Sequence, residues 1–154
     1  MSKKKPSPPI QAHTINLVQA YVKANYDLKI DPKEVPQLTY DFHSTHTFNE
    51  EKTAVSVTLG VVLWKGHENV PVNLSAEIIG NFSTLDGKSQ IPKEFAEVAA
   101  PTIMFPYLRQ VVSDLTGRLG VPPLIVQPMN VAALTKQAKP ADAHSSKSSK
   151  KAKK

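Results

Sequence analysis

The part of the chain that decides its fold is residues 100–130, which read APTIMFPYLRQVVSDLTGRLGVPPLIVQPMN. Apolar residues recur at helical spacing in the first half of this stretch, which predicts one long amphipathic helix. Pro106 suits the first turn of this helix or a kink in a helix that begins near Thr102, and Gly120 suits its C-terminal end. The apolar stripe of the helix comprises Met104, Leu108, Val111, Val112, Leu115 and Leu119.

The second half of the stretch is an apolar loop interrupted by prolines. Because proline has no backbone N–H and keeps the chain extended, such a loop can line a groove with few unsatisfied amides. Part of the loop is expected to pack on its own core and part to form a binding surface. Its apolar members are Val121, Leu124, Ile125, Val126 and Met129. A short second helix is predicted over residues 131–137, with Asn130 as its N-cap.

Four segments before this stretch alternate between apolar and polar residues, which predicts an antiparallel sheet with one buried face. The segments are residues 18–28, 38–43, 55–63 and 72–82. The link over residues 30–37 contains two prolines and predicts a crossover rather than a tight turn. The expected fold class is therefore α+β, a four-stranded antiparallel sheet with one long and one short C-terminal helix.

One long helix and one short helix cover only part of a four-stranded sheet. An apolar stripe left uncovered would exceed the patch that monomers usually expose. We therefore expect the chain to self-associate through its long helix. The alternative is a monomeric two-layer domain in which both helices fold back onto the sheet.

The net charge of +6 is carried by the two ends of the chain. Residues 1–12 contain three lysines and no acid, and residues 136–154 contain seven lysines and one aspartate. We expect a flexible basic tail over residues 1–12, one domain over residues 13–137, and a disordered Lys/Ser/Ala-rich tail over residues 138–154. Lysine-rich tails of this kind can also bind nucleic acid, although nucleic acid is not the partner expected here.

The composition also bounds the compartment. The chain contains no cysteine, which excludes disulfides and thiol chemistry. No apolar region follows the N-terminal lysines as a secretory signal requires, and no stretch is long and apolar enough for a membrane span. We expect a cytoplasmic protein without membrane insertion.

The residues that could carry catalysis or bind a metal are poorly placed for either. His43 and His46 are three positions apart, so a strand would direct them to opposite faces, and a zinc site needs about four ligands. Ser113 lies inside the predicted long helix, without an oxyanion-stabilising turn or a base at a predictable position. There is no glycine-rich phosphate loop. We expect no catalytic residue, no bound metal and no cofactor.

The helix and its following loop resemble the SecB family of tetrameric chaperones, which hold unfolded proteins. The four strand segments also agree with that family in order and approximate length, so the resemblance covers residues 15–135 or so. The match is tightest at Phe105-Pro106-Tyr107-Leu108-Arg109 and continues at Val112-Ser113, Arg118-Leu119-Gly120, Pro122, Leu124, Pro128 and Val131 through Leu134.

The resemblance implies a homotetramer, a dimer of dimers in which the long helices lie between two sheets. It also implies apolar grooves for unfolded or non-native polypeptides, bounded by the crossover loop and the helix-connecting loop, and no use of nucleotide. The groove residues assigned on this basis are Val35, Leu38, Tyr40, Phe42, Val121, Leu124, Val126 and Met129. The oligomer interface assigned to the helix stripe is Met104, Leu108, Val111, Val112, Leu115 and Leu119.

The chain departs from the export-type pattern in two places. Export-type members dock the SecA motor through an acidic sheet face, and the matching positions here are Asn25, Lys29 and Glu77, of which only one is acidic. This argues against SecA as a partner. The crossover loop also lacks the usual tryptophan, since the sole Trp64 ends the third strand segment.

The prediction from all these features is an ATP-independent chaperone of the SecB type, with a link to protein export left open. One alternative is a dedicated chaperone of a single partner, such as an antitoxin. The other is a nucleic-acid-binding protein that uses its lysine-rich tails.

Overall fold

The computed structural model describes residues 6–29, 31, 33–131 and 133, and a four-stranded antiparallel sheet forms its centre. The strands lie side by side in the order β1-β4-β3-β2, so β1 and β2 are the two edges. With the long helix that packs on the sheet, this confirms the predicted α+β fold class. In chain order the strands are β1 (Ile10–Ala24), β2 (Tyr40–Phe48), β3 (Ala54–Leu63) and β4 (Val72–Thr84).

Strands β3 and β4 follow the alternation of the sequence almost residue by residue. Alternate residues are buried on the face that carries the helix, here called the helix side, and most of the residues between them are half-buried on the outer face. Burying an aliphatic side chain fully stabilises a fold by about 1.5–3 kcal/mol, so these two strands supply a large part of the core. The buried residues are Val55, Val57, Leu59, Val61, Leu63, Val72, Leu74, Ala76, Ile78 and Phe82.

Strand β1 departs from the prediction at both of its ends. It begins at Ile10, so residues 10–12 belong to the sheet and not to the flexible tail expected from their composition. It ends at Ala24, so Tyr26 and Leu28 lie beyond the strand to which the alternation had assigned them.

Two bulges also interrupt the alternation of β1. The register with β4 shifts twice, the second time between Leu17 and Gln19, which leaves Val18 as an extra residue. Leu17 pairs with Ile78 and lies on the helix side. Because Val18 is inserted, the next residue of β1 on that side is Ala20, three positions later instead of two. The prediction that Val18 and Ala20 share one continuous apolar face is therefore wrong.

The long helix begins with a π-helical turn, Phe95–Ala99, and continues as α1, Ala100–Gly117. The backbone N–H of Ala100 donates to the carbonyl five residues earlier, which is the hydrogen bond of a π-helical turn. Pro106 lies inside α1, as expected for a helix that begins before it. Gly120 follows with a φ of 73°, a left-handed conformation suited to a helix end.

Helix α1 packs across β3 and β4 of its own chain. Gly80 permits this close approach, because a Cβ there would lie 2.8 Å from the Sδ atom of Met104. Met104, Leu108 and Val112 are completely or almost completely buried in this contact. The predicted oligomer interface is corrected accordingly, since these three side chains belong to the core of the subunit. The other members of the stripe, Val111, Leu115 and Leu119, are half-buried.

The predicted second helix is described only at its start. Val131 and Ala133 are helical, and the Ala133 N–H donates to the Asn130 carbonyl at 3.0 Å. The other residues of that predicted helix lie outside the described residues, as do residues 1–5 and the predicted tail over residues 138–154.

Candidate functional site

The helix side of edge strand β2 is only partly covered, because α1 lies over β3 and β4. Within the described part of the chain β2 pairs with β3 alone, which leaves the backbone groups along its other edge free. We call residues 33–39 the crossover loop and residues 118–130 the helix-connecting loop, and we call this partly covered strip the β2 groove. Its half-buried residues on β2 are Tyr40, Phe42, Ser44, His46 and Phe48.

Aromatic rings form the floor of the β2 groove beside the crossover loop. The rings of Tyr40 and Phe42 stack with centroids 6.3 Å apart, and Phe42 meets Phe105 of α1 at 5.6 Å and 59°. Burial raises the pKa of the Tyr40 hydroxyl above its usual value, so this group stays protonated and can donate a hydrogen bond. The floor therefore combines flat apolar surface with a polar group at its edge.

Trp64 holds the crossover loop from outside it. The residue follows β3 with a φ of 46°, and its backbone N–H donates to the Thr39 carbonyl at 3.1 Å. Its indole N–H donates to the Pro36 carbonyl at 2.9 Å. Val35 and Leu38, two predicted groove residues, are half-buried in the loop that these bonds fix. The crossover loop has no tryptophan of its own, but Trp64 contacts it from the end of β3.

The helix-connecting loop is fixed to α1 through Thr116. The Leu124 N–H donates to the Thr116 hydroxyl at 2.9 Å, and that buried hydroxyl donates in turn to the Val112 carbonyl at 2.8 Å. The loop is therefore attached to the flank of α1 that carries Phe105. This is the flank next to β2, because the Phe105 ring contacts Phe42.

The side chains of this loop divide between core and surface. Val121, Leu124 and Met129 are half-buried, as a groove wall requires. Val126 is 1% exposed and belongs to the core, so its predicted place in the groove is corrected. Its neighbour Ile125 is 63% exposed and lies at the surface of the loop. Successive residues of an extended segment point to opposite sides, which was the available signal for separating these two.

Arg109 adds a hydrogen-bond donor that sequence reasoning did not assign. It lies one helical turn after Phe105, on the same flank of α1. Its Nε atom is buried, and the described residues provide no hydrogen-bond partner for it. A buried donor left unpaired is costly, so a ligand carbonyl that reached this atom would be stabilised.

The predicted motor-docking positions do not come together on the outer face. Glu77 lies at the centre of the sheet, where its Oε1 is 2.7 Å from Nε2 of His43, which crosses over Gly60 to reach it. Asn25 lies beyond the end of β1, and its side-chain amide donates to the Val70 carbonyl. Lys29 is exposed in the loop that follows. No acidic cluster is formed by these positions.

The described residues offer little to other kinds of site. They contain no group of three histidine, aspartate or glutamate side chains placed to hold a metal ion. None of the helices described is both long enough and apolar enough to cross a membrane. The β2 groove combines half-buried apolar side chains with free backbone groups.

Comparison with known proteins agrees with the resemblance noted in the sequence. The family model for preprotein translocase subunit SecB matches residues 11–142. Protein-export protein SecB of Acidithiobacillus ferrooxidans is 31% identical over 121 residues, which cover 77% of this chain and 81% of that protein. An uncharacterized protein of Methanocaldococcus jannaschii is 34% identical over 86 residues, which cover 56% of this chain and only 54% of that protein.

A solved structure has the same fold. It is the SecB-like chaperone of Mycobacterium tuberculosis in complex with a ChAD peptide from an antitoxin, with a TM-score of 0.57 and 24% identity. The superposition covers 78% of this chain and 90% of that one. Since the family model extends from β1 through the helix-connecting loop, and so includes every element that frames the β2 groove, the chain belongs to the SecB family of preprotein translocase subunits.

Proposed function

We propose that this chain is an ATP-independent chaperone that holds unfolded or non-native polypeptides in the β2 groove. The observation that carries the proposal is the groove itself, in which half-buried aromatic and aliphatic side chains lie next to a free strand edge. Membership of the SecB family supports a chaperone role connected with protein export, rather than an enzymatic one. Binding alone suffices for such a role, because a protein that binds unfolded chains lowers their free concentration.

An extended client segment fits this surface in two ways at once. The free N–H and C=O groups of β2 can pair with a client strand, which requires no particular sequence. Alternate client side chains then face the floor formed by Tyr40, Phe42 and Phe105. The unpartnered Arg109 Nε–H is proposed as a further donor to a client carbonyl. Such a site selects extended apolar segments and tolerates many sequences.

Assembly is proposed to use the opposite flank of α1. Because Phe105 faces β2, helix geometry places Ile103 and Tyr107 on the flank towards β1. These side chains are 44% and 53% exposed, and Leu17 on the helix side of β1 is 51% exposed. A monomer seldom leaves such a surface open, so a second copy is the proposed cover. In the proposed dimer of dimers, Ile103, Tyr107 and Leu17 replace the three core residues of the predicted interface.

Clients, rather than the SecA motor, are proposed as the main partners, with the cytoplasm as the compartment. Glu77 is the one acid among the predicted docking positions, so these positions offer little negative charge to a motor. A dedicated chaperone for one partner is the second candidate, since a chaperone of this fold was solved with an antitoxin peptide. Nucleic-acid binding by the tails remains a prediction about residues outside the described part.

The test is suppression of aggregation when a denatured protein is diluted into buffer without nucleotide. Wild type is expected to suppress aggregation at a near-stoichiometric ratio of chaperone to client. Ile125→Asp should require severalfold more chaperone, because it places a charge on the groove wall. Leu85→Asp is the matched control, since Leu85 is also 63% exposed but lies in the turn after β4. Failure of wild type at every ratio would show that the chain is no holdase, and equal activity of all three proteins would remove the groove assignment.

A further inference from the structure

The β2 groove leads, at the Phe48 end of the strand, into a pocket whose chemistry differs from that of the groove floor. This cavity of about 530 Å³ has an apolar part formed by Phe48, Ile91 and Pro92. The rest of its lining includes His46, Lys52 and Lys93, and no carboxylate is among the described residues that line it. An apolar floor with cationic walls fits a carboxylate that is carried next to an apolar group.

Lys52 is fixed beside this cavity by its backbone. Its φ is 58°, its N–H donates to the Asn49 carbonyl at 3.1 Å, and its carbonyl accepts the Ile91 N–H at 2.8 Å. Within the described part of the chain, no acidic side chain lies close enough to form an ion pair with its ammonium group. The hairpin turn between β2 and β3 also carries Glu50 and Glu51, but neither carboxylate forms an ion pair with this ammonium group at the mouth of the pocket.

Lys93 carries a charge that is already partly compensated. Its Nζ lies 3.2 Å from Oε1 of Glu97, one helical turn further along. An incoming carboxylate must compete with Glu97 for this ammonium group, whereas it meets no such competitor at Lys52. The two lysines are therefore expected to contribute unequally to binding.

We infer that this pocket binds a carboxylate of the client, so that the chaperone prefers apolar segments with an acidic end. The carboxylate belongs either to an Asp or Glu side chain or to the client C-terminus. The inference rests on the proposed function, because the pocket continues the helix-side row of β2 that starts at Tyr40 and Phe42. The six residues from Phe42 to Phe48 span roughly 20 Å, so one extended segment of about seven residues reaches both.

The experiment measures the affinity of fluorescent peptides by anisotropy. All peptides share one apolar core and are acetylated. One pair of peptides carries Asp-Glu or Asn-Gln at either end and has an amidated C-terminus. A third peptide has neutral side chains and a free C-terminal carboxylate. Wild type is expected to bind one of the carboxylate peptides about fivefold more tightly than the Asn-Gln peptide at low salt. This preference should vanish at about 1 M salt, where the Debye length is only about 3 Å.

Variants locate the preference in the pocket. In the double variant Lys52→Gln, Lys93→Gln the affinity for the Asn-Gln peptide should stay unchanged, while the preference for a carboxylate is lost. Glu97→Gln should raise the preference about twofold, because it frees Lys93. Lys23→Gln, on the outer face of β1, should leave the preference intact. Comparing the Asp-Glu peptide with the free-carboxylate peptide shows whether the pocket binds a side-chain carboxylate or the client C-terminus.

The outcomes separate this inference from the function on which it depends. Equal affinity of wild type for all the peptides would overturn the carboxylate site and leave the holdase proposal standing. A preference that survives in the double variant would also overturn it. Absence of binding for every peptide would overturn the proposed function, and the carboxylate site with it.

Discussion

The helix side of the sheet is closed over β3 and β4 and open along β2. The reason is geometric, since one helix is about 10 Å wide and strands are spaced about 4.8 Å apart, so α1 covers only about two strands. The central strands lie beneath α1 and carry the core. The two edge strands keep helix-side residues that α1 does not bury, Leu17 on β1 and Phe42 on β2. Stability and binding are thus assigned to different strands of one face.

The same division recurs within two residues of the helix-connecting loop. Val126 is buried in the core, whereas Ile125 is exposed on the surface of the loop. Residue type does not separate these two β-branched side chains, but their orientation does. Substitutions that respect or violate this division should therefore affect either stability or binding, and seldom both.

The largest effect on stability is expected at Val126. The variant Val126→Asp puts an unpaired charge into the core and should lower the free energy of unfolding by about 4 kcal/mol or prevent folding. Ile125→Asp should change it by no more than about 0.5 kcal/mol, because its side chain is exposed. Urea denaturation of both variants measures the difference, and equal destabilisation would contradict the assignment of the two sides of the loop.

The next largest effect separates the closed region from the open one. Leu108→Ala removes a side chain that α1 buries against the sheet and should cost about 3 kcal/mol of unfolding free energy. Its client affinity per folded molecule should stay close to that of wild type. Phe42→Ala should show the opposite pattern. It should lose less unfolding free energy than Leu108→Ala, and it should bind a denatured client clearly more weakly than wild type. Guanidinium denaturation and client titration of both variants measure these effects. Equal losses of stability and of affinity in the two variants would contradict the prediction.

The β1 edge can be tested by its effect on assembly. Tyr107→Asp introduces a charge on the flank of α1 that faces β1, where the ring is 53% exposed. The variant should fold, yet sediment as a smaller species than wild type at micromolar concentration. A control, Thr102→Asp, changes an exposed polar residue on another side of the same helix and should leave the mass unaltered. Unchanged assembly in Tyr107→Asp would argue that subunits meet elsewhere.

A smaller effect is expected where the crossover loop is fastened. Trp64→Phe removes the indole N–H that donates to the Pro36 carbonyl and should cost about 1 kcal/mol. Client affinity should fall modestly, because the loop that carries Val35 and Leu38 is less firmly held. Hydrogen exchange should show faster exchange over residues 33–39, with β3 and β4 unaffected. Protection of that loop identical to wild type would mean that the indole bond does not hold it.

The smallest effect is expected on the outer face, away from both regions of the helix side. His43 and Glu77 are 43% and 35% exposed, so their pairing should contribute only about 0.3–1 kcal/mol. A double-mutant cycle with His43→Gln and Glu77→Gln measures this coupling directly. Neither the two single variants nor the double variant should change client binding. A large change there would move part of the client site to the outer face.

The central strands and the long helix could be predicted because their patterns are long and regular. Residues 55–63 and 72–82 alternate with only Val62 and Ile79 as apolar residues on the polar side, and the helix stripe repeats from Met104 to Leu119. Strand β1 could not be predicted as well, because its two bulges shift the register and no short-range signal marks an inserted residue.

The candidate site was predicted in part. Tyr40, Phe42 and Leu124 are half-buried, and their place in a client-binding groove stays a prediction from the family resemblance. Periodicity shows which residues of a helix are apolar, but not whether they meet their own sheet or another subunit, so Met104 was misassigned to the interface. Trp64 reaches the crossover loop through a contact that spans 28 residues of sequence, which local patterns do not reveal.

Photocrosslinking tests most directly whether clients occupy the open edge of this sheet. A photoreactive phenylalanine analogue replaces Tyr40 in the β2 groove or, in the comparison protein, Tyr21 on the outer face, and each is irradiated with a denatured client. Strong crosslinks from position 40 and weak ones from position 21 are the expected result. Crosslinks to the client from position 21 but not from position 40 would contradict the claim that the β2 groove holds non-native polypeptide.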